Sequence, residues 1–338
     1  MKIVYFGSSE FSVPFLNKII GSKHEVAAVF TNIDKKKGRG RKLAPNPVKE
    51  AAAPAGIKVF EIDEMDKDFI EDLSRIDFDY GIVISFGMIF PGEVFEKWPG
   101  RWINLHPSML PKYRGPSPMV SALLDGAQQT GVTINDVVYE VDTGKIFAQT
   151  KFNIEPGDDL KCLENKVIHF GGPLLITVLD ILEDDDYRPF PQGEEGVTYT
   201  RKITKEDLLI DWTGAGEGIV NKVRAFSPVP GAYGLLGGER IKILKAAVVA
   251  SGRVSVPASK HSGATGEDID GKDIKSPGGM EPAGTIIASG TKQGLLVRCG
   301  GGDIISLEIL QPAGKKPMDH KSFINGYHPV TGARFENR

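Results

Sequence analysis

Asn104 and His106 stand one residue apart in the run Trp-Ile-Asn-Leu-His at 102–106. Successive side chains of a strand alternate between faces, so this spacing puts both polar groups on the same side. A carboxamide donor beside an imidazole can hydrogen-bond a developing oxyanion and pass a proton. The run ends in a loop at 107–115 that begins with Pro107, which places the pair at a strand end. A histidine at a strand end is commonly structural, and the pair alone defines no reaction.

Asp142 follows in Val141-Asp142-Thr143-Gly144. Asp and Gly favour turns, which is the plain reading of the tripeptide. Aspartic proteases carry the same three residues, but their chemistry needs two such aspartates close together. A single copy occurs here. Residues 31–42 bring Lys35, Lys36, Lys37, Arg39, Arg41 and Lys42 together against Asp34 alone. A glycine-punctuated basic loop can grip phosphates, and it can equally be a solvated loop. Gly7-Ser8-Ser9-Glu10-Phe11 is not GxGxxG and no Walker A sequence occurs, which disfavours nicotinamide and ATP chemistry.

These residues need elements to position them, and the first half of the chain alternates strand-like and helix-like segments. Apolar runs at 3–6, 26–31, 57–60 and 81–85 read as strands, with helical spacing at 10–20, 48–55 and 65–75 between them. Such alternation predicts parallel pairing with crossovers, hence an α/β, doubly wound sheet with ligands at the carboxyl ends of its strands. Strand 102–106, a helix at 118–126 and strands near 132–138 and 146–152 follow. Residues 158–182 read as one helical region that Gly171-Gly172-Pro173 should interrupt or kink.

The composition changes at an acidic stretch, 183–196, which carries both Pro and Gly. Beyond residue 203 come short apolar runs, many set off by glycines, at 241–244, 246–249, 284–287, 294–297 and 304–309. They predict a small barrel or sandwich. Residues 251–281 are polar and Gly/Ser-rich, and are expected to be a surface insertion. The expected division is a first domain at 1–188, a linker at 189–206, a second domain at 207–318 and a tail at 319–338.

The length of 338 residues suits two domains, and 41% apolar with 25% charged residues is ordinary for a globular chain. The net charge of −3 hides an asymmetry. Residues 1–200 hold 22 Lys and Arg against 30 Asp and Glu, and residues 201–338 hold 19 against 14. An acidic front and a basic rear suggest two modules with different partners. Cys162 and Cys299 lie far apart with no CxxC, so neither a disulfide framework nor a thiolate metal cluster is indicated. With no signal-peptide pattern and no apolar run long enough to span a bilayer, a cytoplasmic location without a membrane partner is expected. A monomer is expected as well.

Residues 103–115, from Ile103 through Asn104, His106 and Arg114 to Gly115, closely resemble the core motif of the folate-dependent formyltransferases when taken with Val141-Asp142-Thr143-Gly144. The basic loop and the Pro-x-Pro-Val at 45–48 resemble those of the family branch that formylates methionyl-tRNA. So do residues 201–212, Arg224 to Ala232 and Leu310 to Met318. The resemblance implies a Rossmann-like catalytic domain at 1–188 joined to an OB-like β-barrel domain at 207–318. It also implies transfer of the formyl group of 10-formyltetrahydrofolate to the α-amino group of methionyl initiator tRNA, with no metal required. Asn104, His106 and Asp142 take the catalytic positions. Ser85, Phe86, Gly87, Met88, Ser108, Met109, Leu110 and Pro111 would border the folate. Lys35, Lys36, Lys37, Arg39, Arg41, Lys42, Lys315 and Lys316 would contact tRNA.

The chain departs from the family's pattern at 134–140, which is less Met-rich than usual, and at Ser117-Pro118. A formyltransferase acting on a nucleotide-linked amino sugar would keep the three catalytic groups without needing the basic loop. A non-catalytic RNA-binding relative would not need to keep all three.

Overall fold

Residues 3–6 form an unbroken apolar run, as expected of a strand covered on both faces. In the computed structural model, which describes residues 1–37, 42–183, 187–249 and 281–336, they are fully buried inside β1 (Lys2–Gly7). The chain continues through α1 (Val13–Ile20), β2 (Glu25–Asn32) and a short hairpin of β3 (Lys35–Lys37) and β4 (Lys42–Ala44). Next come α2 (Pro47–Ala52), β5 (Val59–Ile62), α3 (Lys67–Ser74) and β6 (Tyr80–Ile84). Asn46 and Asp66 cap α2 and α3 by accepting from the Val48 and Phe69 amides, which fixes where those helices begin. Then follow α4 (Gly92–Lys97), β7 (Trp102–His106), α5 (Pro118–Leu124), β8 (Gln129–Asp136), β9 (Ile146–Asn153) and α6 (Leu160–Ile181).

The strands form one sheet in the order β5-β2-β1-β6-β7-β8-β9. Pairing is parallel from β5 to β7 and antiparallel for β8 and β9. The chain departs from β1 to one side and returns at β6 on the other, so the crevice at their carboxyl ends is the topological switch point. Phe6, Phe30, Phe69, Phe86, Phe90 and Trp102 pack together under one face of this sheet.

Two compact units divide the chain. Unit 1 comprises Met1–Met119, Gln128–Glu155 and Cys162–Lys202; unit 2 comprises Val120–Ala127, Pro156–Lys161 and Ile203–Arg338. Residues 189–202, expected as a linker, therefore belong to unit 1. There Phe190 exchanges both backbone hydrogen bonds with Ile146, and Tyr199 pairs in parallel with Arg114.

Unit 2 contains α7 (Gly216–Phe226), β10 (Ala232–Leu236), β11 (Glu239–Val248), β12 (Ile286–Gly290), β13 (Gly294–Arg298), β14 (Ile304–Pro312), β15 (Met318–Asp319), α8 (His320–Tyr327) and β16 (Phe335–Glu336). Its strands form an antiparallel sheet in the order β12-β13-β14-β11-β10-β16, consistent with the OB-like architecture that the family resemblance implies. Trp212, Phe226, Phe323 and Phe335 are fully buried in its core.

Several local expectations are corrected. α6 runs unbroken through 171–173. A Cβ on Gly171 would come to 3.2 Å from the Leu105 and Val132 side chains, so the glycine lets the helix lie close on the sheet rather than ending it. The runs at 241–244 and 246–249 belong to one strand, β11, whose register shifts around Lys245. The basic loop is partly a hairpin, with Lys37 opposite Lys42 and Lys36 opposite Leu43. Among the described residues, no helix is long and apolar enough to cross a membrane. Residues 251–280 of the expected insertion lie outside the described residues.

Candidate active site

Asn104 and His106 are the third and last residues of β7, and their partners on β8 are Asn135 and Thr133. Cross-strand partners share a face, so the four polar side chains stand together at the carboxyl edge of the sheet. His106 is 4% exposed. Its Nε2 donates to the Tyr113 carbonyl at 2.9 Å, and its Nδ1 lies 3.5 Å from Oδ1 of Asp142. Asn104 Nδ2 donates to the same Asp142 oxygen at 3.4 Å and to Oδ1 of Asn135 at 3.3 Å. Thus the three groups singled out in the sequence converge on one carboxylate oxygen.

The second oxygen of Asp142 accepts from the Gly115 amide at 2.7 Å. Asp142 has φ 56°, in the left-handed region that non-glycine residues seldom adopt. Ser85 and Tyr113 share that conformation with φ 50° and 61°, so the loops after β6 and β7 and the Asp142 turn are all held against preference. Gly144 is buried, and a Cβ there would run into the Asp136 carbonyl, which explains the glycine of Asp-Thr-Gly.

Sequence reasoning missed four supporting residues. Asn135 is 1% exposed; it accepts from Asn104 and donates through Nδ2 to the Asp136 carbonyl at 3.0 Å. Thr133 accepts from the Leu110 amide and donates to the Ser108 carbonyl, while Gln149 donates to Thr133 and the Leu110 carbonyl. Together they pin the turn that follows β7. Gln192 donates to the carbonyls of Asp142 and Gly144 at 2.7 Å each and accepts from Arg114 Nε and Nη2. The alternation Val132-Thr133-Ile134-Asn135 was a legible signal for two of these; Gln192, in the expected linker, had none.

Asp136, next to Asn135, is half-buried, and burial pushes its carboxyl up to about 6 against the opposing charge of Lys145 and the Val137 amide.

The residues expected to border the folate leave the ends of adjacent strands, β6 and β7. Their side chains differ in availability. Ser85 and Gly87 are exposed, and Met88, Met109 and Pro111 are half-buried. Phe86, Ser108 and Leu110 are buried, so they can offer a ligand little beyond backbone. Of the residues expected to contact tRNA, Lys35, Lys36, Lys37 and Lys42 lie on the β3–β4 hairpin. Arg39 and Arg41 lie outside the described residues. Lys315 and Lys316 are exposed in the turn between β14 and β15.

A buried imidazole, a carboxamide and a carboxylate at the carboxyl end of β7, one strand from the switch point of the doubly wound sheet, make a site for proton transfer and oxyanion stabilisation. The formyl transferase family model matches residues 1–179, and the model of the formyl transferase C-terminal domain matches residues 202–328, so the class is that of the formyl transferases. Methionyl-tRNA formyltransferase of Dictyoglomus turgidum is 37% identical over 100% of both chains. That of Bacillus subtilis is 33% identical over 98% of this chain and 96% of its own length. The chain belongs to the methionyl-tRNA formyltransferase family. Among solved structures, an N-formyltransferase from Helicobacter canadensis in complex with folinic acid and dTDP-3-aminofucose shares the fold, with TM-score 0.63 and 18% identity over 92% of this chain and 99% of its own.

Proposed function

We propose that this protein transfers the formyl group of 10-formyltetrahydrofolate to the α-amino group of methionyl initiator tRNA, acting as a cytoplasmic monomer. The observation that carries the chemistry is the convergence of Asn104 and His106 on Oδ1 of Asp142. Full-length similarity to methionyl-tRNA formyltransferases supports the choice of acceptor.

The amine nitrogen bonds to the formyl carbon, and the carbonyl oxygen becomes an oxyanion. Asn104 Nδ2 turns a hydrogen from Asp142 to that oxygen, a donor worth roughly 3–4 kcal/mol of barrier. With Nε2 committed to the Tyr113 carbonyl, His106 works through Nδ1. It takes the proton released by the attacking amine, and the positive ring then faces the Asp142 carboxylate 3.5 Å away. Collapse breaks the bond from the formyl carbon to the folate nitrogen, which leaves with the proton from Nδ1. The exposed Ser85 and Gly87 and the half-buried Met88, Met109 and Pro111 offer the donor a mixed polar and apolar border.

Incubation with 10-formyltetrahydrofolate and charged initiator tRNA should give formylmethionyl-tRNA. A nucleotide-linked amino sugar should give no product under the same conditions, and formylation of the sugar alone would overturn the acceptor assignment. Light scattering on the purified protein should return the mass of one chain.

A further inference from the structure

Asp142 can serve the reaction only while its turn keeps the carboxylate opposite both Asn104 and His106. That turn has a left-handed residue at its centre, a conformation that persists only where the surroundings hold it. The Gln192 carboxamide is placed to hold it. Its Nε2 donates to the carbonyl of Asp142 and to that of Gly144, both at 2.7 Å. Its Oε1 accepts from Arg114 Nη2 at 2.8 Å and Nε at 3.1 Å.

Donor and acceptor roles here admit a single assignment. Carbonyls only accept and a guanidinium only donates, so the side chain joining them must do both. Glutamate could accept from Arg114 but would turn an oxygen toward two carbonyl oxygens. The 113–115 loop is tied to the same turn a second time, because the Gly115 amide donates to Oδ2 of Asp142 at 2.7 Å. That loop also supplies the Tyr113 carbonyl that fixes His106. A closed circuit results: His106 to the Tyr113 carbonyl, along the loop to Arg114, across Gln192 to the Asp142 backbone, and through the carboxylate back to His106.

We propose that Gln192 is a positioning residue for formyl transfer, fixing the Asp142 turn and through it the orientation of the carboxylate toward His106 and Asn104. The proposal rests on the formyl-transfer reading above. Gln192 touches no reacting atom; it acts through Asp142.

The test compares the full-length protein with Gln192→Glu, which matches the parent in size and keeps the Arg114 pairing, and Gln192→Met, which keeps the bulk alone. Both should lower kcat by about 100-fold, the scale of a misplacement near 1 Å, while KM for donor and tRNA stays near the parent's. In an Asp142→Asn background the further loss should shrink to a few-fold, because the two residues act in series. An unchanged kcat, a loss confined to KM, or an equal loss in both backgrounds would overturn the proposal. A measurement independent of turnover is hydrogen exchange at the Gly115 amide, which should quicken in Gln192→Glu as the carboxylate moves. Unchanged protection there refutes the positioning role, whereas absence of formyl transfer by the parent refutes the functional reading instead.

Discussion

The Tyr113 carbonyl accepts a hydrogen bond from Nε2 of His106 at 2.9 Å, which commits one ring nitrogen to the backbone and leaves Nδ1 to face Asp142. This relationship assigns the ring its working atom. Gln in place of His can reproduce a donor at the Nε2 position, but nothing at Nδ1.

His106→Ala and His106→Gln should therefore both lower kcat by about 10²–10⁴, the usual range for a general acid–base group, with tRNA affinity little changed. Single-turnover formylation with pre-bound tRNA checks this. Near-parental turnover by the Gln variant would show that Nε2, not Nδ1, is the atom the reaction uses.

Asn104 and Asn135 should fall on different scales. Asn104→Ala removes a donor to the oxyanion and should slow kcat by about 10²–10³. Asn135→Leu removes the acceptor that orients Asn104, along with a donor to the Asp136 carbonyl, and should slow kcat about tenfold. If the two substitutions were equally severe, Asn135 would do more than orient its neighbour.

Asp136 should make stability depend on pH. Its folded-state value of about 6 lies above the ordinary 3.8, so the folded chain holds the proton more tightly than the unfolded one. Stability should fall as pH rises from 4 to 6 and then level off, the penalty being fully present above 6 and absent below 4. Asp136→Asn should remove that slope and raise stability at pH 7.5 by about 1 kcal/mol, allowing for partial solvent screening of the group. Urea unfolding at pH 4 and pH 7.5 measures both effects, and equal differences at the two pH values would contradict the assignment.

The basic hairpin should reveal itself through salt. Replacing Lys35, Lys36 and Lys37 by Ala, or Arg39 by Ala alone, should weaken tRNA binding. The slope of log affinity against log salt should become shallower by roughly 0.7–0.9 for each phosphate no longer neutralised. Lys315→Ala with Lys316→Ala tests the turn after β14 in the same titration. A weaker affinity with an unchanged slope would point to altered folding rather than to phosphates left without a cation.

Much of this protein was legible in its sequence because the signals are local. The alternation of apolar runs predicted the doubly wound sheet, and the spacing of Asn104 and His106 put both on one face of β7 by strand geometry alone. The glycine-marked runs after residue 203 predicted β11, β12, β13 and β14, though not β10, β15 or β16. α7 was not among the predicted elements, although Ile219, Val223 and Phe226 recur at helical spacing. α6 was expected to be interrupted or kinked at Gly171-Gly172-Pro173, because a sequence pattern does not show that a helix must pass close to a sheet.

The sequence by itself determined which groups are available for chemistry and roughly where strands place them. Only the tertiary structure decided how those groups are aimed. The direction of the His106 ring depends on a carbonyl seven residues away, and the Asp142 turn on Gln192, 50 residues away. Hydrogen bonds of this kind join atoms that are close in space, between backbone groups present in every residue and side chains far apart in the chain. No local pattern announces them.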